Sequence, residues 1–168
     1  MKEILFRGKR KDNGEWVCGY YACQSNHSCI NRKFCHFILK DECLDIGLGG
    51  LEYYEVIPET VGQYTGLTDK NGKKIFEGDI IRYADMYDYN CWLEGLDENG
   101  FYDKWDFGNI WTIDKVVYAG EEGYPAFDLY SHQFEANGLS EVSESSNYFY
   151  EVIGNIHDNP ELLKEQDK

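Results

Sequence analysis

Six cysteines and four histidines are the residues of this chain with the most obvious capacity for chemistry. Five of the cysteines, at 18, 23, 29, 35 and 43, crowd the N-terminal part, and the sixth is Cys91. Cys29, Cys35, His36 and Cys43, with His27 close by in the chain, bring together the donor types that bind zinc. Structural zinc sites, however, are usually opened by a knuckle with two to four residues between its cysteines. The shortest gaps between successive cysteines here are four and five residues, and neither sits in a recognisable zinc pattern. Free thiols are the plainer expectation, some of them buried as small apolar groups. No metal and no cofactor are expected. A zinc-stabilised domain or small metal-dependent enzyme built on the Cys/His cluster is the alternative. His132 and His157 stand in no metalloprotease or deaminase pattern, and no phosphate-binding glycine loop or serine elbow occurs. Glu77 and Asp79 flank Gly78 as a lone carboxylate pair with neither a nucleophile nor a base beside them. A role in a turn is the simpler expectation, and no catalytic residue is assigned.

A second set of residues is suited to recognition. Between positions 83 and 108 the chain reads YADMYDYNCWLEGLDENGFYDKWDFG, with seven acids (Asp85, Asp88, Glu94, Asp97, Glu98, Asp103 and Asp106) and one lysine. Eight aromatics are interleaved with them, including Trp92 and Trp105. Asp97, Asn99 and Asp103 do not meet calcium-loop spacing, and no glutamate closes such a loop. A twisted hairpin with aromatics on one face and acids in solvent accounts for the pattern. So does an exposed recognition element in which the aromatics anchor a partner and the carboxylates select a basic one.

The charge of the whole chain bears on that choice. Sixteen basic residues face thirty-one acidic ones, a net charge of -15, and the excess is uneven. Residues 1–40 carry +5, residues 41–82 carry -5, and residues 83–168 carry -15. A chain this acidic repels phosphate at long range, which argues against direct nucleic-acid binding. The basic cluster Lys2, Arg7, Lys9, Arg10 and Lys11 then reads as a solvated hairpin edge protected by its charges. A basic protein is the partner that the composition favours, and the sequence leaves the oligomeric state open. No apolar run approaches the roughly 18 residues that cross a bilayer, and the start lacks a signal-peptide core. A cytoplasmic protein without membrane contact is expected.

The elements that must position these groups are mostly strands. Aromatics make up 16% of the chain, with 14 tyrosines and 9 phenylalanines, and such residues favour pleated surfaces. Asn-Gly pairs at 13–14, 71–72 and 99–100 lie between strand-like runs and predict hairpins, because Asn and Gly best tolerate positive φ. A fourth pair, Asn137-Gly138, has weaker flanks. Strands are predicted over 34–39, 52–57, 109–119, 125–130 and 147–153, with a bend at Gly78. Pro58 ends one strand and marks a boundary between an N-terminal β subdomain (1–58) and a C-terminal domain (59–168). Asn159-Pro160-Glu161 has helix-start chemistry and predicts one short C-terminal helix.

Three stretches carry a family likeness: ILFRGKRKDNGEWVCGYY at 4–21, EVIPETVGQYTGLTDKNGKKIFEGDIIRY at 55–83 and YEVIGNIHDNPELL at 150–163. In that order the chain resembles the YopX family, proteins encoded by phages and prophages of Gram-positive bacteria. The resemblance implies that the C-terminal part is a Src-homology-3-like small barrel, into which 83–108 is inserted. It implies no biochemical activity. From composition and resemblance together, the expected protein is mainly β and non-enzymatic, a phage accessory protein that binds a basic host or phage protein. A DNA mimic is the special case.

Overall fold

The computed structural model describes residues 4–25, 34–40, 52–85, 112–118, 126–130, 138–144 and 148–164. Ten strands dominate these residues, all paired antiparallel, and the chain divides into two compact units, Met1–Gly66 and Leu67–Lys168. Pro58 lies inside the first unit, in a short 3-10 helix, Pro58–Thr60. The backbone N–H of Lys9 donates to Thr60 Oγ1 at 2.9 Å, so this turn is tied back to the N-terminal strand.

Unit 1 contains β1 (Phe6–Lys9), β2 (Trp16–Ser25), β3 (Phe34–Leu39), β4 (Tyr53–Glu55) and most of β5 (Gly62–Thr68). They stand in the order β4-β3-β2-β1-β5, five of the six strands of that sheet. The first hairpin joins β1 to β2 at Asn13-Gly14, as the sequence predicts, but through a longer turn. The backbone N–H of Arg10 donates to the carbonyl of Glu15 and that of Gly14 to the carbonyl of Arg10, leaving four residues in the loop. Gly14 takes φ +75°. In this unit Ile38, on β3, and Val56 are fully buried, with Leu5 nearly so.

The described cations of the N-terminal cluster, Arg7, Lys9, Arg10 and Lys11, are absorbed by their neighbours. Arg10 forks onto Asp12 and reaches Glu15, Lys11 pairs with Glu55, and Arg7 and Lys9 lie over the Trp16 ring. These cations do not lie along a sheet edge as the sequence predicts: β1 is paired with both β2 and β5, and β2 with both β1 and β3.

Unit 2 opens with the end of β5 and the second Asn-Gly hairpin, which leads to β6 (Lys74–Phe76). Its loop has three residues, Lys70 to Gly72. The N–H of Gly72 donates to the Asp69 carbonyl and the N–H of Asp69 to the Lys73 carbonyl, with φ +78° at Gly72. This is a one-turn loop closed by a left-handed residue, the common three-residue alternative to a two-residue hairpin. An added Cβ at Gly72 meets no atom within 4 Å, so only backbone strain opposes substitution there. Gly72→Val is expected to lower unfolding free energy by about 1–3 kcal/mol, and an unchanged urea midpoint would refute the turn.

After β6, Gly78 (φ +80°) turns the chain into β7 (Asp79–Asp85). The sheet of unit 2 runs β10-β7-β8-β9, where β8 is Thr112–Tyr118, β9 is Phe127–Leu129 and β10 is Tyr148–Asn155. Ile75, Ile81, Tyr83, Val116 and Leu129 form its core with Leu139 and Val142. The last two belong to a helix that the sequence reading missed, α1 (Gly138–Glu144). Gly138, of the weakly flanked fourth Asn-Gly pair, is thus the first residue of a helix. Its support comes from β9: Asp128, 2% exposed, accepts from the N–H of Leu139 at 2.7 Å and from that of Leu129 at 2.8 Å. A carboxylate at a helix start satisfies an orphan N–H and faces the positive end of the dipole.

The C-terminal helix is shorter and tighter than predicted, a 3-10 turn over Pro160–Leu163 with no buried residue. Asn159 does not cap it through its side chain. The Asn159 side chain packs instead against Gly154, where an added Cβ would lie 2.7 Å from its Oδ1. The protein is therefore mainly β, in two open antiparallel sheets, with no closure of either into a barrel among the described residues.

Candidate functional site

The recognition residues named from sequence belong to the connection between β7 and β8. Those strands are neighbours, with Tyr83 opposite Thr112 and Ile80 opposite Lys115. The far side of β7 is held by β10, whose Tyr148 stands opposite Asp85. Asp85 is the last residue of β7. Asp88, Trp92, Glu94, Asp97, Glu98, Asp103, Trp105 and Asp106 lie outside the described residues, as does the third Asn-Gly pair.

The base from which this connection springs is well fixed. Arg82 and Glu151 are cross-strand partners on β7 and β10, and Arg82 Nε donates to Glu151 Oε1 at 2.6 Å. Lys70 Nζ lies 3.3 Å from the other carboxylate oxygen. Burial disfavours the Glu151 charge, but Arg82 and Lys70 outweigh it and hold the carboxyl below the usual range. One rung further, the Tyr150 hydroxyl donates to the Thr68 carbonyl at 2.8 Å. Burial, and then the Asp69 carboxylate, raise that phenol above its ordinary value.

Asp69 is a heavily engaged carboxylate of the unit, at 5% exposure. Its Oδ1 accepts from the N–H groups of Asn71 (2.8 Å) and Lys73 (2.9 Å), and its Oδ2 from that of Val152 (3.1 Å). The side chain thus ties the β5–β6 turn to β10. Glu77 and Asp79, weighed as a carboxylate pair, divide in the same structural sense. Asp79 is 1% exposed and accepts from the N–H of Phe76, while Glu77 is half-buried in the turn. His157 donates its backbone N–H to Asn155 Oδ1.

Of the Cys/His cluster named from sequence, Cys35 and His36 lie among the described residues. Cys35 and His36 are consecutive on β3, so their side chains leave opposite faces of the sheet. Cys29, Cys43 and His27 lie outside the described residues. Among the described residues, no group of three His, Cys, Asp or Glu side chains could hold a metal ion. The purified protein is expected to contain reduced cysteines and no stoichiometric zinc. Zinc found by elemental analysis, and lost in Cys29→Ser or Cys35→Ser, would revive the metal alternative. Ala22, Gln24, Phe37, Leu39 and Tyr53 line an open groove of 230 Å³ on one sheet face, a largely apolar lining without acid–base chemistry.

With fold and site in place, comparison with known families gives one decisive result. The family model described as YopX protein matches residues 5–164, nearly the whole chain. The chain belongs to the YopX family. A solved structure agrees: the crystal structure of protein EF1440 from Enterococcus faecalis superposes with a TM-score of 0.50 at 22% identity. The match covers 97% of this chain and 99% of that one, and at this identity it speaks for a shared fold. Comparison with curated proteins returns no match. Among the described residues of this YopX protein, no helix is long and apolar enough to cross a membrane.

Proposed function

We propose that this YopX protein is a non-enzymatic acidic interaction module. In this reading it is a phage or prophage accessory protein of the bacterial cytoplasm, and the segment between β7 and β8 engages a basic host or phage protein. The observation that carries the reading is the pairing of Tyr83 with Thr112. It brings both ends of residues 84–111 to one rung of a sheet anchored by β10, and this connection is far longer than the two to five residues a hairpin turn needs. The segment so presented holds acids and aromatics together, the residue types that select and anchor a cationic partner. We also read unit 2 as a relative of the Src-homology-3-like barrel, with the connection as an insertion in its sequence. Occupation of a nucleic-acid groove on a basic enzyme is a special case of the same interface.

Neutralising Glu94, Asp97, Glu98 and Asp103 to Gln or Asn is expected to abolish capture of the partner from host lysate and leave the circular dichroism spectrum unchanged. Four equivalent changes at Glu144, Glu161, Glu165 and Asp167 should leave capture intact. Capture should also fall steeply with salt, as the Debye length shortens from about 10 Å at 0.1 M to about 3 Å at 1 M. A partner indifferent to the first four changes, or none at low salt, would leave the charge as a device for solubility.

A further inference from the structure

Unit 1 holds a second group of side chains with chemical capacity, on β2 and β3. Cys23 of β2 stands directly opposite His36 of β3. The backbone hydrogen bonds show which kind of pair this is. The carbonyl of His36 accepts from the N–H of Val56, and the N–H of Lys40 donates to the carbonyl of Glu52. The even-numbered residues of β3 therefore direct their backbone groups toward the β4 side, away from β2. Cys23 and His36 are consequently a non-hydrogen-bonded pair, the kind in which Cα atoms approach to about 4.5 Å and side chains are closest. Both side chains leave the same face of the sheet.

Tyr21, two residues before Cys23, shares that face. Its hydroxyl lies 2.5 Å from His36 Nδ1, and its ring packs against Phe6 with centroids 5.3 Å apart. The imidazole is thus held at Nδ1 by a phenol that is itself buttressed, which leaves Nε2 to exchange a proton when Nδ1–H is the donor. Cys23 is exposed and His36 half-buried. Burial first, and then the neighbouring Cys23 thiol, raise the Tyr21 phenol, so this hydroxyl keeps its proton. A sulfur nucleophile, an adjacent base and a third group orienting that base form the arrangement that activates nucleophiles. Here it rests on two paired strands rather than on loops.

We propose that Cys23, His36 and Tyr21 form a thiol site for exchange with small disulfides. Cys23 gives its proton to His36, and the thiolate attacks one sulfur of the incoming disulfide. A bond forms between Cys23 Sγ and that sulfur as the original S–S bond breaks. The departing thiolate takes up a proton, and a free thiol reverses the step.

The test uses the full chain with oxidised glutathione as the probe, and follows adducts residue by residue by mass spectrometry. Cys18, exposed and of opposite parity on β2, is the internal reference. Wild type should gain a dithiothreitol-reversible adduct at Cys23. His36→Gln should slow that adduct roughly tenfold or more near neutral pH, and Tyr21→Phe, which keeps the ring against Phe6, should slow it less. The Cys18 rate should not move. Equal Cys23 rates in wild type and His36→Gln would overturn the proposal. So would a parallel fall at Cys18, which would report loosening of the sheet instead.

Discussion

Gly19→Ala should be the most damaging single-methyl change in the described part of unit 1. Gly19 lies in β2 between Phe6 of β1 and the end of β3, and it is buried. A Cβ built there would sit 2.0 Å from the carbonyl oxygen of Leu39 and 2.9 Å from its carbon. These are backbone atoms of a paired strand, so no rotamer change relieves the clash, and β2 and β3 must separate locally. Overpacked cores lose about 1–3 kcal/mol when side chains can adjust, and this site belongs at the top of that range or above it. In a protein of this size about 3 kcal/mol corresponds to a fall of roughly 6–12 °C in melting temperature. Gly14→Ala in the loop between β1 and β2 is the informative control. Its Cβ meets nothing within 4 Å and carries only the cost of φ +75°, so it should be clearly milder. A Gly19→Ala protein that melts with the wild type would mean that β2 and β3 do not pair in this register.

Asp69→Ala is expected to do comparable damage in unit 2 by a different route. The substitution strips acceptors from three backbone N–H groups at once, those of Asn71, Lys73 and Val152. Buried donors left without partners cost about 1–3 kcal/mol each. The two in the turn can recover water more readily than the one on β10, so the total should be about 2–4 kcal/mol. Asp69→Asn retains one oxygen acceptor but turns an NH₂ toward a donor, and should lose about half as much. Urea unfolding would show the loss as a lower midpoint with an unchanged slope. A change below about 0.5 kcal/mol, the scale of ordinary surface substitutions, would show that Asp69 is not the tie between turn and strand.

Local physics made much of this architecture legible in the amino-acid order. The turn at Asn71-Gly72 and the bend at Gly78 announce themselves because only glycine takes φ near +80° without strain. Strand runs such as FCHFIL and KIFEGDIIRY, and the charge imbalance of 83–168, need no partner to be seen. The opposed directions of Cys35 and His36 were also within reach, since adjacent residues on a strand never share a face. Grouping them by nearness in the chain hid that.

What the sequence could not supply were relations between segments distant in the chain. Helix α1 has a weak signal, Leu139 and Val142 three apart, and it is secured by Asp128 from another element. The pairing of Cys23 with His36 requires the β2–β3 register, because a shift of one residue moves every side chain to the other face. Asp69 became a tie to Val152 only once β10 was brought beside it, across 83 residues of chain. Hydrogen bonds and close approaches of this kind depend on distance in space, and tertiary packing alone sets that distance. The sequence by itself determined which segments are strands, where the chain turns and where the charge lies; the fold decided which of their side chains meet.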